Sequence, residues 1–520
     1  MYTRDVLKPI RIPDNVTVIE DCVFEGCSLL QSIVIPEGIT VIGFCAFNGC
    51  SSLQSIVIPD SVTKIEESAF ESCSSLRSII IPEGVTEIGD CAFYGCFSLQ
   101  SIVIPCSVTK IGGSAFCGCS SLQSIIIPDS VTEIEYCTFD GCSSLQSIVI
   151  PEGITVIEDC TFSNCSSLQS IVIPEGVTKI GDCAFDGCSS LRSIVIPEGV
   201  TEIGSGAFIG CSKLTLSCKS PFFKVANNIL YSKDGRVISC WSNDKNIELP
   251  YGVTEIGDSA FDGCSSLQSI VIPDSVTEIE DDAFLNCSSL QSIVIPDSVT
   301  TIYYYAFKCC TSLRSIIIPD GVTEIGDCAF YGCSSLRSII IPDSVTKIGA
   351  GAFDGCSSLR SIIIPSGIII EDCVFAHCSS LQSIVIPESV NVEHGIFSDC
   401  SSLQSIVLQN SVTYIAEREF SGCSSLQSIV IPDSVTKIER LAFYGCSSLQ
   451  SIVIPEGVTN IEGFAFSGCS SLKSIVIPDS VTKIGIGAFW DCSSLRSVEI
   501  PKNMKIEYDI FPETAKIIRR

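Results

Sequence analysis

Histidine is almost missing from this chain. It has two in 520 residues, beside two methionines and two tryptophans. Imidazole catalysis therefore has only His377 and His394 to draw on, and two histidines cannot serve some twenty serine-rich coils. Basic residues are scarce too: Lys and Arg total 30 against 59 Asp and Glu, for a formal net charge of −29. Nucleic acid is disfavoured as a partner, because phosphate binding needs clustered cations. Long apolar runs are missing, although hydrophobic residues make up 46% of the chain and mean hydropathy is +0.45. Runs such as Ile79-Ile80-Ile81 fall far short of the roughly 20 apolar residues that cross a bilayer, so no membrane insertion is expected. The opening Met1-Tyr2-Thr3-Arg4-Asp5-Val6-Leu7 has no signal-peptide apolar region. That leaves an intracellular chain, a fragment or another route of export. There is no Gly-x-Ser-x-Gly elbow, glycine-rich phosphate loop or zincin motif. No enzyme activity and no cofactor are expected.

What the chain has instead is a 23-residue period. One copy runs from Cys50 through Leu53-Gln54-Ser55-Ile56-Val57-Ile58-Pro59-Asp60 and Val62-Thr63-Lys64-Ile65 to Ala69-Phe70, and Cys73 starts the next. A fixed period of this size means a solenoid. The Leu-x-x-Ile-x-Ile segment alternates as a strand does, Pro59 stops its ladder, and Asp60-Ser61 supplies turn chemistry. Val62 and Ile65 mark a second short extended piece, and Ala69-Phe70 with Cys73 bury the far side in one irregular helical turn. No copy can bury these residues alone. Stacking places Leu on Leu and Phe on Phe, with strands roughly 4.7–4.9 Å apart, so about twenty coils make a rod on the order of 100 Å long. Every coil runs the same way. The fold expected is therefore a repeat solenoid, mainly β, coiled right-handed, with a parallel sheet on one face and short irregular or helical turns on the other.

The Leu-x-x-Ile-x-Ile-Pro strand, the Val-Thr-x-Ile-Gly/Glu segment and the Ala-Phe-x-x-Cys corner recur over nearly the whole chain. This repeat resembles the BspA-like class of leucine-rich repeats. The resemblance implies a leucine-rich-repeat coil and a surface or secreted adhesion-type protein, often one that binds host or extracellular-matrix proteins. The absent signal region and the dense thiols suit a reducing compartment, so cytoplasmic placement stands beside cell surface.

Cysteines number 33. Twenty hold the corner position from Cys27 to Cys492, and eight lie two residues before the repeat Phe, as Cys22 and Cys137 do. Free Cys behaves as a small buried hydrophobe, so a buried thiol ladder is expected rather than a disulfide framework or a metal site. Acidic residues follow the repeat proline, as at Glu37, Asp60, Glu83 and Asp129. They form an edge ladder, which serves solubility. Calcium is not expected, since no compact ligand loop with a glycine turn occurs.

The period divides the chain. Residues 1–29 form an N-terminal cap and degenerate first coil, 30–211 a first arm, 212–250 an insertion, 251–501 a second arm with 22-residue repeats near 360–410, and 502–520 a C-terminal cap. Arg11 and Glu499 replace the repeat's central Val, and are expected to deter end-to-end addition of strands. Asp234-Gly235 between alternating apolar runs signals a hairpin, and the insertion resembles the hairpin island of BspA-like proteins. Its Tyr231 and Trp241 are candidate contacts, while splicing two arms is its structural role. His377 and His394 fall in the short repeats, either as surface residues or as a metal or pH-sensing pair.

Leu53, Ile56 and Ile58 point inward by analogy with leucine-rich repeats, so Ser55 and Val57 point outward. The same pair recurs as Ser78 and Ile80, Ser101 and Val103, Ser124 and Ile126, Ser147 and Val149, Ser170 and Val172, and Ser193 and Val195. This Ser/Val face is the candidate binding surface for a protein partner, because soluble monomers rarely expose so long an apolar stripe. β-Branched residues also stabilise strands without any partner. A structural spacer or intracellular scaffold is therefore the alternative.

Overall fold

The computed structural model describes residues 10–385, 391–392, 394–506 and 509–520. The degenerate Leu7-Lys8-Pro9 start and Val390 of the second short repeat lie outside them. The chain forms two compact units, residues 1–242 and 243–520.

In the first unit each coil contributes to three hydrogen-bonded ladders. The Leu-x-x-Ile segments give a seven-stranded parallel sheet in chain order, from Ser78–Ile80 through Ser147–Val149 and Ser170–Val172 to Thr215–Cys218. Its register is one repeat: Ser147 faces Ser170, Ile148 faces Ile171 and Val149 faces Val172. The register is set by packing, because a one-residue slip would turn every inward Ile to solvent. The second ladder joins Lys64–Ile65, Glu87–Ile88, Lys110–Ile111 and Glu133–Ile134.

The third ladder corrects the expectation of a helical turn. No helix occurs among the described residues. Around Phe139 the backbone turns left-handed twice, at Cys137 (φ 53°) and Gly141 (φ 70°). Alternate amides therefore leave their own coil. Those of Cys137, Phe139 and Gly141 donate to the carbonyls of Asp159, Thr161 and Ser163 at 2.8–2.9 Å. Asp140 and Cys142 bond back within the turn, to Cys137 and Phe139. A helix would keep all these bonds inside one coil and leave the stack without a ladder on this side.

The core is a set of columns. Phe139, Leu145 and Cys142 are fully buried. Nine phenylalanines from Phe24 to Phe208 stack with centroids 5.2–5.6 Å apart. The corner thiols do more than fill space. Cys142 Sγ donates to the carbonyl of Phe116 at 3.2 Å, and Cys73 and Cys165 make the same bond to Phe47 and Phe139. Serine would offer a stronger but shorter donor, and alanine none.

The insertion is a three-stranded antiparallel meander, Phe223–Ala226, Ile229–Ser232 and Arg236–Cys240. Asp234-Gly235 lies in the second turn, as expected. The first turn is Asn227-Asn228, both left-handed (φ 52° and 59°), as a tight hairpin of the mirror-image type requires. Trp241 ends the phenylalanine stack edge-on, 5.8 Å from Phe208 at 62°, and its Nε1 donates to the Leu214 carbonyl at 3.1 Å. At the N-terminus Ile10–Arg11 pairs with Ile33–Val34, and the exposed Arg11 meets Asp14 at 3.1 Å.

The second unit repeats the plan. Asn246–Glu248 begins a six-stranded parallel sheet that runs to Ser361–Ile363. Phenylalanines stack from Phe261 to Phe511. In the short repeats the rings spread to 6.0 Å, between Phe375 and Phe397 and between Phe397 and Phe420, against 5.3 Å from Phe330 to Phe353. The last strand is Lys516–Arg519, parallel to Ser497–Ile500. Glu499 is therefore one strand inside the edge, opposite Ile518, and it is Lys516 and Arg519 that charge the final strand.

Candidate functional site

The outward residues of the sheet build the site. In most strands the proline that follows Ile ends the ladder after two to four residues, so only two side chains per coil face out. Ser147 and Ser170 are exposed, and so are Val149 and Val172, each at 74%. Val57 reaches 80% and Ile126 81%, while Val195 falls to 43%. Ile80 and Val103 lie between these limits, and Ser55, Ser78, Ser101, Ser124 and Ser193 are exposed beside them. In-register pairing turns these residues into two continuous columns.

A fully buried Val or Ile side chain corresponds to roughly 60–120 Å² of apolar surface. The seven apolar residues from Val57 to Val195 therefore present roughly 300–600 Å², as much as the largest patch of a typical monomer. In the second unit ten counterparts from Val271 to Val476, 46–79% exposed, present roughly 400–800 Å². No charge interrupts either column.

The insertion does not add to this surface. Tyr231 is 6% and Trp241 3% exposed, so neither faces a partner. Both side chains are core, which the break in the period at 212–250 concealed from a reading by register. Its three strands and the Trp241–Phe208 contact close the phenylalanine column of the first unit.

The two histidines each meet a carboxylate of a neighbouring coil. His377 Nδ1 lies 2.7 Å from Asp354 and its Nε2 3.5 Å from Asp399, while His394 Nδ1 lies 3.5 Å from Asp372. Among the described residues one carboxylate trio, Glu255, Glu278 and Glu280, brings ligand atoms within 4.8 Å of one another. Such a trio also suits an exposed acidic surface. In the first unit Lys64, Glu87, Lys110 and Glu133 alternate along the second ladder, and Lys110 pairs with Glu135 at 2.6 Å; in the second unit Lys347 pairs with Glu371 at 3.1 Å. Half-exposed pairs of this kind, screened by solvent, contribute little to stability.

Residues 1–123, 109–234, 239–319, 300–394 and 390–518 match the family model described as the BspA type leucine rich repeat region. The chain belongs to the BspA-type leucine-rich-repeat family. Among solved structures, this BspA-type chain is similar to a leucine rich cell surface protein from Faecalibacterium prausnitzii A2-165. The identity is 41% over 58% of this chain and 82% of that one, with a TM-score of 0.52. A leucine-rich repeat protein from Bacteroides ovatus ATCC 8483 is 29% identical, over 81% of this chain and 92% of its own, with a TM-score of 0.41. No curated protein sequence matches significantly. The BspA-type chain is thus a leucine-rich-repeat scaffold. Among its described residues no helix is long and apolar enough to cross a membrane.

Two features escaped the sequence pattern. Glu419 occupies a core position that most other coils fill with alanine, and none with a charged residue, and it is 2% exposed. Arg418, Leu441 and Phe464 occupy a position that most coils fill with Cys, Ser or Gly. Aligning the copies column by column would have flagged both.

Proposed function

We propose that this chain is a non-enzymatic, protein-binding solenoid of the surface or adhesion type, which holds its partner against the Ser and Val/Ile columns of the sheet. The observation that carries this reading is the continuous exposed apolar column, with Val149 and Val172 at 74% and no charge within it. Hydroxyls beside branched apolar side chains offer hydrogen bonds at the margin of an apolar strip, as a polar rim does around an apolar interface core. The relative from Faecalibacterium prausnitzii, described as a cell surface protein, supports the surface setting. The arms at 30–211 and 251–501 carry the columns in this reading, and the segments at 1–29 and 502–520 cap them.

Replacing Val149, Val172 and Val195 with Lys tests the proposal. All three side chains are exposed, so each change costs within about 0.5 kcal/mol of stability. A binder loses its partner while its circular dichroism is unchanged. A structural spacer keeps every association it has, and unchanged partner affinity in the folded variant would remove the sheet face from the account.

A further inference from the structure

We propose a second binding site, for an anionic sugar, on the turn side of the coils that span residues 418–490. Three successive coils there place a large side chain where the backbone is left-handed: Arg418 (φ 58°), Leu441 (φ 59°) and Phe464 (φ 58°). Gly487 follows in the same column, and a Cβ there would meet the Phe464 ring at 2.5 Å. Folding does not ask for these residues. A bulky side chain in this conformation is strained, and most other coils hold Cys, Ser or Gly at the position.

What the substitutions build is an open cavity of about 530 Å³, whose lining includes Arg418, Arg440, Tyr444, Phe464 and Trp490, with Asp399 at one end. That volume suits one or two sugar rings. Trp490 is 59% and Tyr444 44% exposed, so both offer aromatic surface to a ligand. Arg418 and Arg440 set two guanidinium groups in a chain of net charge −29. Arg440 also lies 3.5 Å from Glu417. Asp399 accepts from Ser398 Oγ at 3.4 Å and lies 3.5 Å from His377 Nε2.

The backbone of the cavity wall is already used. The amides of Arg418, Leu441 and Phe464 donate to the carbonyls of Arg440, Gly463 and Ile486 at 3.1–3.2 Å. A peptide would find no strand edge to extend here. A sugar needs none: its C–H face stacks on Trp490 and Tyr444, its carboxylate or sulfate meets Arg418, and its hydroxyls reach Asp399 and Ser421.

The test titrates the full chain with sialyllactose, a sulfated galactose, neutral lactose and polyglutamate, following tryptophan fluorescence. Trp241 is buried, so the response belongs to Trp490 and disappears in Trp490→Phe. Binding of sialyllactose or the sulfated sugar, with lactose at least about tenfold weaker, supports the site, and the stronger of the two identifies the anionic group. Arg418→Gln should weaken that binding about ten- to a hundredfold, the effect of losing one charged hydrogen bond. It should do so without changing circular dichroism. Silence with both anionic sugars, unchanged affinity in folded Arg418→Gln, or binding of polyglutamate alone overturns the proposal.

Discussion

Glu419 makes the sharpest prediction about stability. It stands in the column of Ala69 and Ala92, and it is 2% exposed. One carboxyl oxygen accepts the Ile396 amide at 3.4 Å, and Oε1 has no partner. Burial pushes its pKa up to about 8 from an ordinary 4.5; the Ile396 amide opposes the shift and Asp372 adds to it. Below about pH 4.5 the group is protonated folded or unfolded. As pH rises, the unfolded chain releases the proton first, so the folded state loses about 1.4 kcal/mol per pH unit until about pH 8. The loss is about 3 kcal/mol at pH 7 and about 5 kcal/mol in full. Glu419→Gln keeps the volume and removes the titration. Repeat arrays open locally, so the assay is hydrogen exchange of the full chain, read on peptides covering residues 397–443. After correction for intrinsic rates, wild-type opening in these coils should rise about a hundredfold between about pH 5 and pH 7. Glu419→Gln should stay flat. The same rise in both proteins would refute the reasoning, because the pH dependence would then belong to other groups.

Three further outcomes follow from the columns. Phe330→Ala removes a fully buried ring stacked at 5.3 Å on Phe307 and on Phe353, and should destabilise its coils by about 3–5 kcal/mol, read as local loss of exchange protection. Cys142→Ala removes a buried thiol and its bond to Phe116, at a cost of about 1–2 kcal/mol in the same assay; no measurable loss would show that neither the packing nor the bond of the corner sulfur supports its coil. With a thiol reagent, reduced native protein should react at the exposed Cys106, Cys22 and Cys373 before the buried thiols, more slowly at Cys22 and Cys373, whose pKa values are raised. Cys142, Cys165 and Cys356 should react only on unfolding, since burial raises their pKa well above the usual thiol range.

The period and the alternation of Leu53, Ile56 and Ile58 with Ser55 and Val57 were enough to assign inside and outside, because a strand's side-chain direction follows from position alone. The far side was harder. Whether Ser68-Ala69-Phe70 turns as a helix or as a left-handed corner depends on where its amides go, and that is decided by the neighbouring coil 23 residues away. The thiol bond from Cys142 to Phe116 is likewise a contact between coils. Trp241 looked like a surface aromatic because the break at residue 212 removed the register that would have placed it above Phe208. Glu499 looked terminal because the last strand, Lys516–Arg519, carries no repeat motif. The Arg418, Leu441 and Phe464 column lies 23 residues apart at each step, so it becomes a cavity only once the coils are stacked.

The sheet face is the centre of the functional proposal, and competition tests it against the partner class that the family resemblance implies, extracellular-matrix proteins. Val149 is replaced by a photo-cross-linking residue in one protein and the exposed Thr132, on the second ladder's side of the coil, in another. Each is presented to a mixture of extracellular-matrix proteins, with unlabelled wild-type chain or the Val149→Lys, Val172→Lys, Val195→Lys variant as competitor. A sheet-face binder gives a saturable adduct from position 149 and not from 132, suppressed by wild type and untouched by the triple variant. A triple variant that competes as well as wild type would contradict it.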